Sequence, residues 1–381
     1  MTEGSFCFNF IASDDITANN TKSTNAISNS FDKNAINISN DAVNNKTSKK
    51  SPTISPKSQF IQLSSSPSPS YSNDNINSNT TTLPSSSYEC ITVHSNIPPI
   101  KKVSSSKTLL SNTATATTIN NDTDIIPGVY EGGLKVWECS LDICYLLAEQ
   151  LILSKHDDKM NNITINDANS IPLLQNLISS SKQDDTFVVL ELGCGHALPS
   201  CFLLQHELCT NFLLLDYNEF VLKDVTLSNI NLNLPMSTRG TTKEKNVNVG
   251  WISGDWIDIS NNWNDIIQSN DNKNMIVKNK RVDCIIASET IYTKQHTLEM
   301  IQFLLHHLKI GTGIGIIATK RYYFGCGGGT NELFTAASDT TLFLEEESDK
   351  YCKLDLEVVK VIDNGMSNIR EIILARCVVI T

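Results

Sequence analysis

The chain has 381 residues, a formal net charge of -11 and eleven cysteines. That negative balance argues against a general grip on nucleic acid, which needs clustered Lys and Arg against the phosphates, while the length allows two or three domains. The cysteines form no Cys-x-x-Cys, and several (Cys139, Cys144, Cys201, Cys284) fall within apolar segments. They read as buried free thiols of a reducing compartment, not as a disulfide frame or a zinc site.

Residues 12 to about 87 are dominated by Asn, Ser, Thr and Pro. Such a stretch buries too little apolar surface to offset its ordering entropy, so a disordered arm is expected over 1–120 and one folded α/β domain over 121–381. Phe6, Phe8 and Phe10 alternate near the start, either as a short docking motif or as a sticky terminus. No basic region precedes them, and the first arginine is Arg239, so neither a signal peptide nor a mitochondrial presequence is expected. No run is long and apolar enough to span a bilayer. The expectation is a cytosolic protein, with or without the nucleus. From Tyr88 to Val103, apolar Ile91, Val93, Ile97 and Ile100 mix with prolines and lysines, which predicts an extended segment lying against the domain.

Pro127-Gly128 and Gly132-Gly133 are turn chemistry, and Leu141, Cys144, Tyr145, Leu147, Ala148, Leu151 and Ile152 recur at helical spacing. A helix is therefore predicted over 137–153, followed by a polar loop and a short helix over 173–179. Phe187 to Leu192 is a short apolar run that reads as a buried parallel strand. It leads into Gly193-Cys194-Gly195, a sharp turn that lets a ligand touch the backbone. Glu191 holds a carboxylate just before the glycines, where open α/β sheets bind ligands. Alone, this turn is also compatible with a purely structural role or a dinucleotide site. Against the dinucleotide, Leu198 stands where a third glycine belongs.

A helix over 199–205 and a second strand over 212–216 follow, the strand ending in Asp216 about twenty residues after the glycines. An acid there accepts ribose hydroxyls in a nicotinamide or a methyl-donor site; elsewhere it would be a helix cap. After a helix over 222–232, Val249-Gly250-Trp251-Ile252-Ser253-Gly254-Asp255-Trp256 reads as a third strand with an acid and an aromatic, Asp255 and Trp256, at its end. The last two are residue types that fit the edge and plane of an adenine, or an ordinary turn with a core tryptophan. Residues 260–280 read as a polar insertion. A fourth strand from Val282 runs into Ser288-Glu289-Thr290-Ile291-Tyr292, a helix covers 297–308 with His306-His307 at a surface end, and a fifth strand covers 313–319. Lys320 to Thr330 holds four glycines in five positions without the Gly-Lys-Ser/Thr of a P-loop. It reads as a flexible, substrate-facing loop whose aromatic and basic neighbours grip a peptide. The pair 354–362 and 371–380, split by Asn364-Gly365, reads as antiparallel edge strands.

Together, Pro127-Gly128-Val129-Tyr130-Glu131-Gly132-Gly133-Leu134-Lys135-Val136-Trp137-Glu138-Cys139, Glu191-Leu192-Gly193-Cys194-Gly195, Leu215-Asp216-Tyr217-Asn218, Gly254-Asp255-Trp256, Ser288-Glu289-Thr290-Ile291-Tyr292 and Phe324-Gly325-x-Gly-Gly-Gly carry a resemblance. The chain from about 125 onward resembles the protein-histidine methyltransferases that modify large-subunit ribosomal protein three. The resemblance implies the class I methyltransferase fold, a Rossmann-like seven-stranded sheet with helices on both faces. It implies S-adenosylmethionine as cofactor, a protein acceptor, no membrane, and transfer of a methyl group to the tele nitrogen of a histidine. A monomer is expected. Carried over by position, Val136, Trp137, Glu138, Cys139, Ser140, Gly193, Gly195, Asp216, Tyr217, Asn218, Gly254, Asp255, Trp256 and Ser288 would line the cofactor site, with Glu191 beside them.

The chemistry agrees with that set. A neutral imidazole, with a pKa of about 6.5, is already mostly deprotonated at pH 7, whereas a lysine at about 10.4 must first lose a proton. Alignment and exclusion of water are then the main tasks. Glu289 or Tyr292 is expected to accept a hydrogen bond from the second ring nitrogen, or else only to shape the pocket. A lysine methyltransferase of the same superfamily, and a ribosome-assembly factor that keeps the cofactor fold without turnover, are the competing readings.

Overall fold

A computed structural model describes residues 56–63, 88–103, 125–126, 130–157, 186–235, 247–268, 281–344, 350–365 and 368–380. The predicted helix over 173–179, the Phe6-Phe8-Phe10 alternation and residues 269–280 of the supposed polar insertion lie outside them.

The centre is five parallel strands: β4 (Val188–Leu192), β5 (Asn211–Asp216), β6 (Val247–Ser253), β7 (Cys284–Ser288) and β8 (Ile314–Lys320). Every residue of β4, β5 and β8 is buried, as befits strands covered on both faces. β11 (Arg370–Ile380) pairs antiparallel with β8, and β10 (Tyr351–Ile362) with β11, confirming the closing pair. Seven strands in the order β6-β5-β4-β7-β8-β11-β10 make the expected class I methyltransferase sheet.

Two further strands make it nine. β9 (Leu342–Phe343) adds two residues to β10. β1 (Lys57–Leu63) corrects the expectation of an unstructured arm, pairing antiparallel with β6 from Lys57↔Ser253 to Leu63↔Val247. The local cause is Phe60: its ring takes the space above Gly250, where a Cβ would meet it at 2.6 Å. The Asn/Ser/Thr-rich composition averages over this short run and hides it. The segment 88–103 does lie against the domain, as a hairpin of β2 (Tyr88–Ile91) and β3 (Ile100–Val103). Asn229 Oδ1 accepts from Val103 N at 2.7 Å, and Asn233 Oδ1 from Lys101 N at 2.9 Å.

Helices cover the two faces. α1 (Glu138–Asp157) and α2 (Leu198–Gln205) pack with Val189, Leu214, Cys284 and Ile286. A bent helix follows β5, from α3 (Glu219–Val221) through a π turn at Leu222–Thr226 into α4 (Leu227–Leu232). The opposite face holds Leu190, Leu192 and Leu213 against α5 (Trp256–Asn261), α6 (Trp263–Gln268), α7 (Lys294–His307) and α8 (Thr330–Asp339). α6 corrects the start of the supposed polar insertion. Trp263, Ile266 and Ile267 recur at i, i+3 and i+4 and are buried, so that turn belongs to the core. His307, expected at a surface, is also buried, with Nε2 2.8 Å from Ser260 Oγ and its ring 4.4 Å from those of Trp263 and Phe303. Cys139, Cys144, Cys201 and Cys284 are buried free thiols, as expected.

The chain lays down β4, β5 and β6 in one direction and then crosses back to place β7 on the other side of β4. Such a reversal opens a crevice at the strands' carboxyl ends, the general position of ligands in open α/β sheets.

Candidate active site

A cavity of about 1080 Å3, counting its open mouth, occupies this crevice. Its floor is the turn after β4. Gly193 and Gly195 have φ of +64° and +48°, which L side chains resist, and a Cβ on Gly193 would stand 2.6 Å from Thr290 Cγ2. On Gly195 it would stand 3.1 Å from Gly133 O, because the segment 131–137 lies across the turn as a strap. The strap is tied down at several points. Asn218 Oδ1 accepts from Glu131 N at 3.1 Å, Trp137 Nε1 donates to Gly132 O at 3.0 Å, and His196 Nε2 lies 3.0 Å from Leu134 O. Burial lowers the His196 pKa to about 4, so the ring is neutral at pH 7. Its Nε2 then donates to Leu134 while Nδ1, 3.2 Å from the Asn229 amide, accepts.

Asp216 ends β5 inside the cavity, where Oδ2 accepts from Gly195 N and Oδ1 from Asn218 N, both at 3.0 Å. Burial raises its pKa to about 6 against the pull of these two donors, so it is mostly charged at pH 7. Each oxygen keeps a second lone pair, so a vicinal diol can be met without losing the backbone contacts.

The structure gathers most of the residues expected from sequence around this cavity. Val136, Trp137 and Ser140 line it from the strap and the start of α1. Tyr217, Gly254, Asp255 and Trp256 line it from the ends of β5 and β6, and Ser288, Glu289 and Tyr292 from the end of β7. Asp255 also caps α5, its Oδ1 accepting from Ile257 N at 2.8 Å, the role the ordinary-turn reading gave it.

Four of the expected residues do not face the cavity. Glu191 shares its side of β4 with Val189, beneath the turn, and its Oε2 accepts from Ser200 N at 3.0 Å at the start of α2. Its Oε1 has no partner, and burial raises the pKa to about 7. Strand alternation decides this, since Leu190 and Leu192 belong to the opposite face. Asn218 is buried holding the strap. Glu138 faces Arg370, 3.6 Å from Nη1. The thiol of Cys139 is buried in the core, and only its backbone N reaches the site, donating to Glu289 Oε1 at 3.2 Å.

Glu289 sits at φ +52°, an uncommon and strained conformation for a non-glycine residue. Its Oε2 lies 3.1 Å from Lys320 Nζ, with both side chains almost fully buried, an ion pair lacking hydrogen-bond alignment. Lys320 Nζ also stands 5.9 Å from the ring centroid of Trp137 and 5.8 Å from that of Tyr323. Glu289 therefore fastens the start of α1 to the end of β8. The Tyr292 hydroxyl donates to Glu131 Oε2 across the cavity. Burial and that carboxylate hold its pKa well above the usual phenol range, so Tyr292 stays protonated and is not a base.

Sequence reasoning missed Glu131, Lys320, Thr290, His296 and Glu299. Glu131 lay inside a segment already singled out. A lysine closing an apolar strand, as Lys320 does, was a readable signal. His296 and Glu299, at i and i+3 on α7, both line the cavity. The His296 ring meets Tyr292 edge-on at 4.5 Å, and burial lowers its pKa. Burial raises Glu299 to about 6.

No protein-family model matches the chain. Among curated proteins, the histidine protein methyltransferase 1 homologue of Dictyostelium discoideum is 30% identical over 252 residues, covering 66% of this chain and 60% of that protein. Histidine protein methyltransferase 1 of Schizosaccharomyces pombe is 30% identical over 54% of this chain and 56% of its own length. The Mus musculus homologue is 26% identical over 72% and 65%. An O-methyltransferase of Bacillus cereus, solved in complex with SAH, aligns with a TM-score of 0.31 at 12% identity, covering 61% of this chain and 90% of that one. The chain spans less than two thirds of the length of these curated relatives. A chain with the class I methyltransferase sheet, and with a crevice at its switch point, is thus similar in sequence to histidine protein methyltransferase 1 from amoeba, yeast and mammal.

Proposed function

We propose that this protein transfers a methyl group from S-adenosylmethionine to a histidine side chain of another protein, and that the acceptor is a large-subunit ribosomal protein. The observation that carries the donor assignment is the junction of the Gly193-Cys194-Gly195 turn with the Asp216 carboxylate in one cavity. The turn leaves no room for a Cβ, and the acid is of the type that takes a ribose diol. Carboxylates of Glu131, Asp216, Asp255 and Glu299 in the lining suit a sulfonium cation. The similarity to histidine protein methyltransferase 1 supports the choice of imidazole.

The bound donor would supply an electrophilic methyl group on a positively charged sulfur. The protein's own part is to hold and orient. Gly193 and Gly195 give close backbone approach, the strap 131–137 with Trp137 at its end excludes water, and Glu289 with Lys320 fixes the start of α1, from which Ser140 faces the cavity. A neutral imidazole needs no base to attack. Tyr292, whose hydroxyl donates its hydrogen bond to Glu131, offers an oxygen that accepts from the second ring nitrogen and so selects the tautomer. A ring that carried the methyl group on one nitrogen would have to give up the proton on the other. Glu299, with a pKa of about 6, is a carboxylate of the same cavity that can take it near neutral pH.

The test is to incubate the full chain with labelled donor and ribosomal extract from cells lacking the protein, then map the modified side chain. Label on a ring nitrogen of one histidine in a large-subunit protein is the expected result. Label on lysine would favour the lysine-directed reading, and no label at all would favour a non-catalytic binding factor.

A further inference from the structure

The glycine-rich loop between β8 and α8, expected from sequence to be flexible, is clamped to the wall of the cavity. Gly328 N donates to Tyr292 O at 3.2 Å, Gly329 N to Ile291 O at 3.0 Å, and Gly327 forms a bridge with Thr293. A Cβ on Gly328 would stand 2.1 Å from Ile291 O, so only glycine lets these two backbones touch. Tyr323 turns inward, 3% exposed, against Tyr292 and Ile125.

Its two neighbours turn outward. Phe324 is 81% exposed, the most of any large apolar side chain among the described residues, and Tyr322 is 48% exposed. Their ring centroids lie 6.5 Å apart with 32° between the planes. The Tyr322 hydroxyl accepts from Asn331 Nδ2 at 2.8 Å, and neighbouring Arg321 donates through Nε to Glu371 at 3.0 Å. A loop held at so many points keeps two aromatic faces in water instead of folding them away. Rigid aromatic rings make binding anchors because they lose little conformational freedom when covered. A second exposed pair, Phe343 and Tyr351, sits on the outer strands β9 and β10 and has no comparable tie to the cavity. The pair on the loop flanks Tyr323, which packs on Tyr292 of the cavity lining, and the loop's backbone is joined to 291–293, so the two exposed rings are carried by a segment fixed to that side of the cavity.

We propose that Tyr322 and Phe324 form the platform that holds an apolar or proline-containing stretch of the acceptor protein, next in sequence to the side chain being methylated. This rests on the reading of the cavity as a methyl-transfer site for a protein. The platform sets affinity for the acceptor and leaves donor binding to the strap and the glycine turn.

The experiment uses the full chain, tritium-labelled S-adenosylmethionine, and the protein fraction of washed large ribosomal subunits as acceptor. Phe324→Ala is expected to raise KM for that fraction about tenfold, the loss typical of an interface anchor. It leaves kcat and the calorimetric affinity for S-adenosylhomocysteine near wild type, and Phe324→Trp restores KM. Leu298→Ala on α7, equally a truncation of an exposed apolar side chain, leaves KM unchanged. A Phe324→Ala variant with wild-type KM overturns the platform alone. So does one that loses cofactor affinity, which makes the ring structural, or one that sediments as a smaller species, which makes the pair a contact between two copies. A wild-type protein that labels nothing in the fraction overturns the reading of the cavity and the platform with it.

Discussion

Replacing Glu191 with Gln is expected to change how stability depends on pH. The Glu191 carboxyl is buried beneath the glycine turn with one oxygen unpartnered, and burial moves its pKa from 4.5 to about 7. A carboxyl whose folded pKa is raised keeps its proton in the native state where the unfolded chain has lost it. Between pH 4.5 and about 7 the folded state therefore binds more protons, and stability falls as pH rises through that window, levelling above it. At 1.36 kcal/mol per pH unit, the difference amounts to roughly 3 kcal/mol. Glutamine keeps an oxygen for the Ser200 N–H and carries no charge, so it removes this slope. Urea unfolding of the full chain and of Glu191→Gln at pH 5, 6, 7 and 8 would measure it. The variant should gain on wild type by roughly 2–3 kcal/mol from the acid to the alkaline end. Asp216, raised to about 6 by burial, contributes a similar slope to both proteins and cancels in the comparison. A stability difference that stays constant with pH would show that the carboxyl titrates normally and that the burial argument is wrong.

The other predictions concern the site. Gly195→Ala should weaken S-adenosylhomocysteine binding by about tenfold or more in calorimetry, because the new methyl group is strained at φ +48° and presses on Gly133 O in the strap. Asp216→Asn should cost roughly 1–3 kcal/mol in the same titration, since the amide cannot accept from Gly195 N, Asn218 N and a ribose together. Lys320→Met should destabilise the fold by about 3–5 kcal/mol by stranding a buried Glu289, with much of the loss recovered in the double variant Lys320→Met, Glu289→Gln. Equal melting temperatures for the single and double variants would deny the ion pair that role. Tyr292→Phe should lower kcat for histidine methylation and leave cofactor affinity near wild type. Parallel losses in both would make Tyr292 part of the donor pocket instead.

Local signals determined much of this protein. Val188 to Leu192 could only be a strand covered on both faces, because every position is apolar apart from Glu191, and the glycines after it fixed a turn with room for a ligand. Asp216, Trp256 and Tyr292 were legible because each stands at or just beyond the carboxyl end of a strand, where the sheet delivers side chains to a common crevice. The placement of Phe60 was not legible, since an edge strand inside a polar arm depends on a slot left by Gly250, nearly two hundred residues away. Nor was the burial of Glu191, whose identity suggested a ligand contact and whose side of the strand denied it. The pairing of Glu131 with Tyr292, and of Glu289 with Lys320, joins positions far apart in the chain. A sequence lists which groups are present and the period at which they recur. Which carboxylate meets a cation, which meets a backbone N–H and which is left with an unmatched oxygen follows from how the strands are ordered in space.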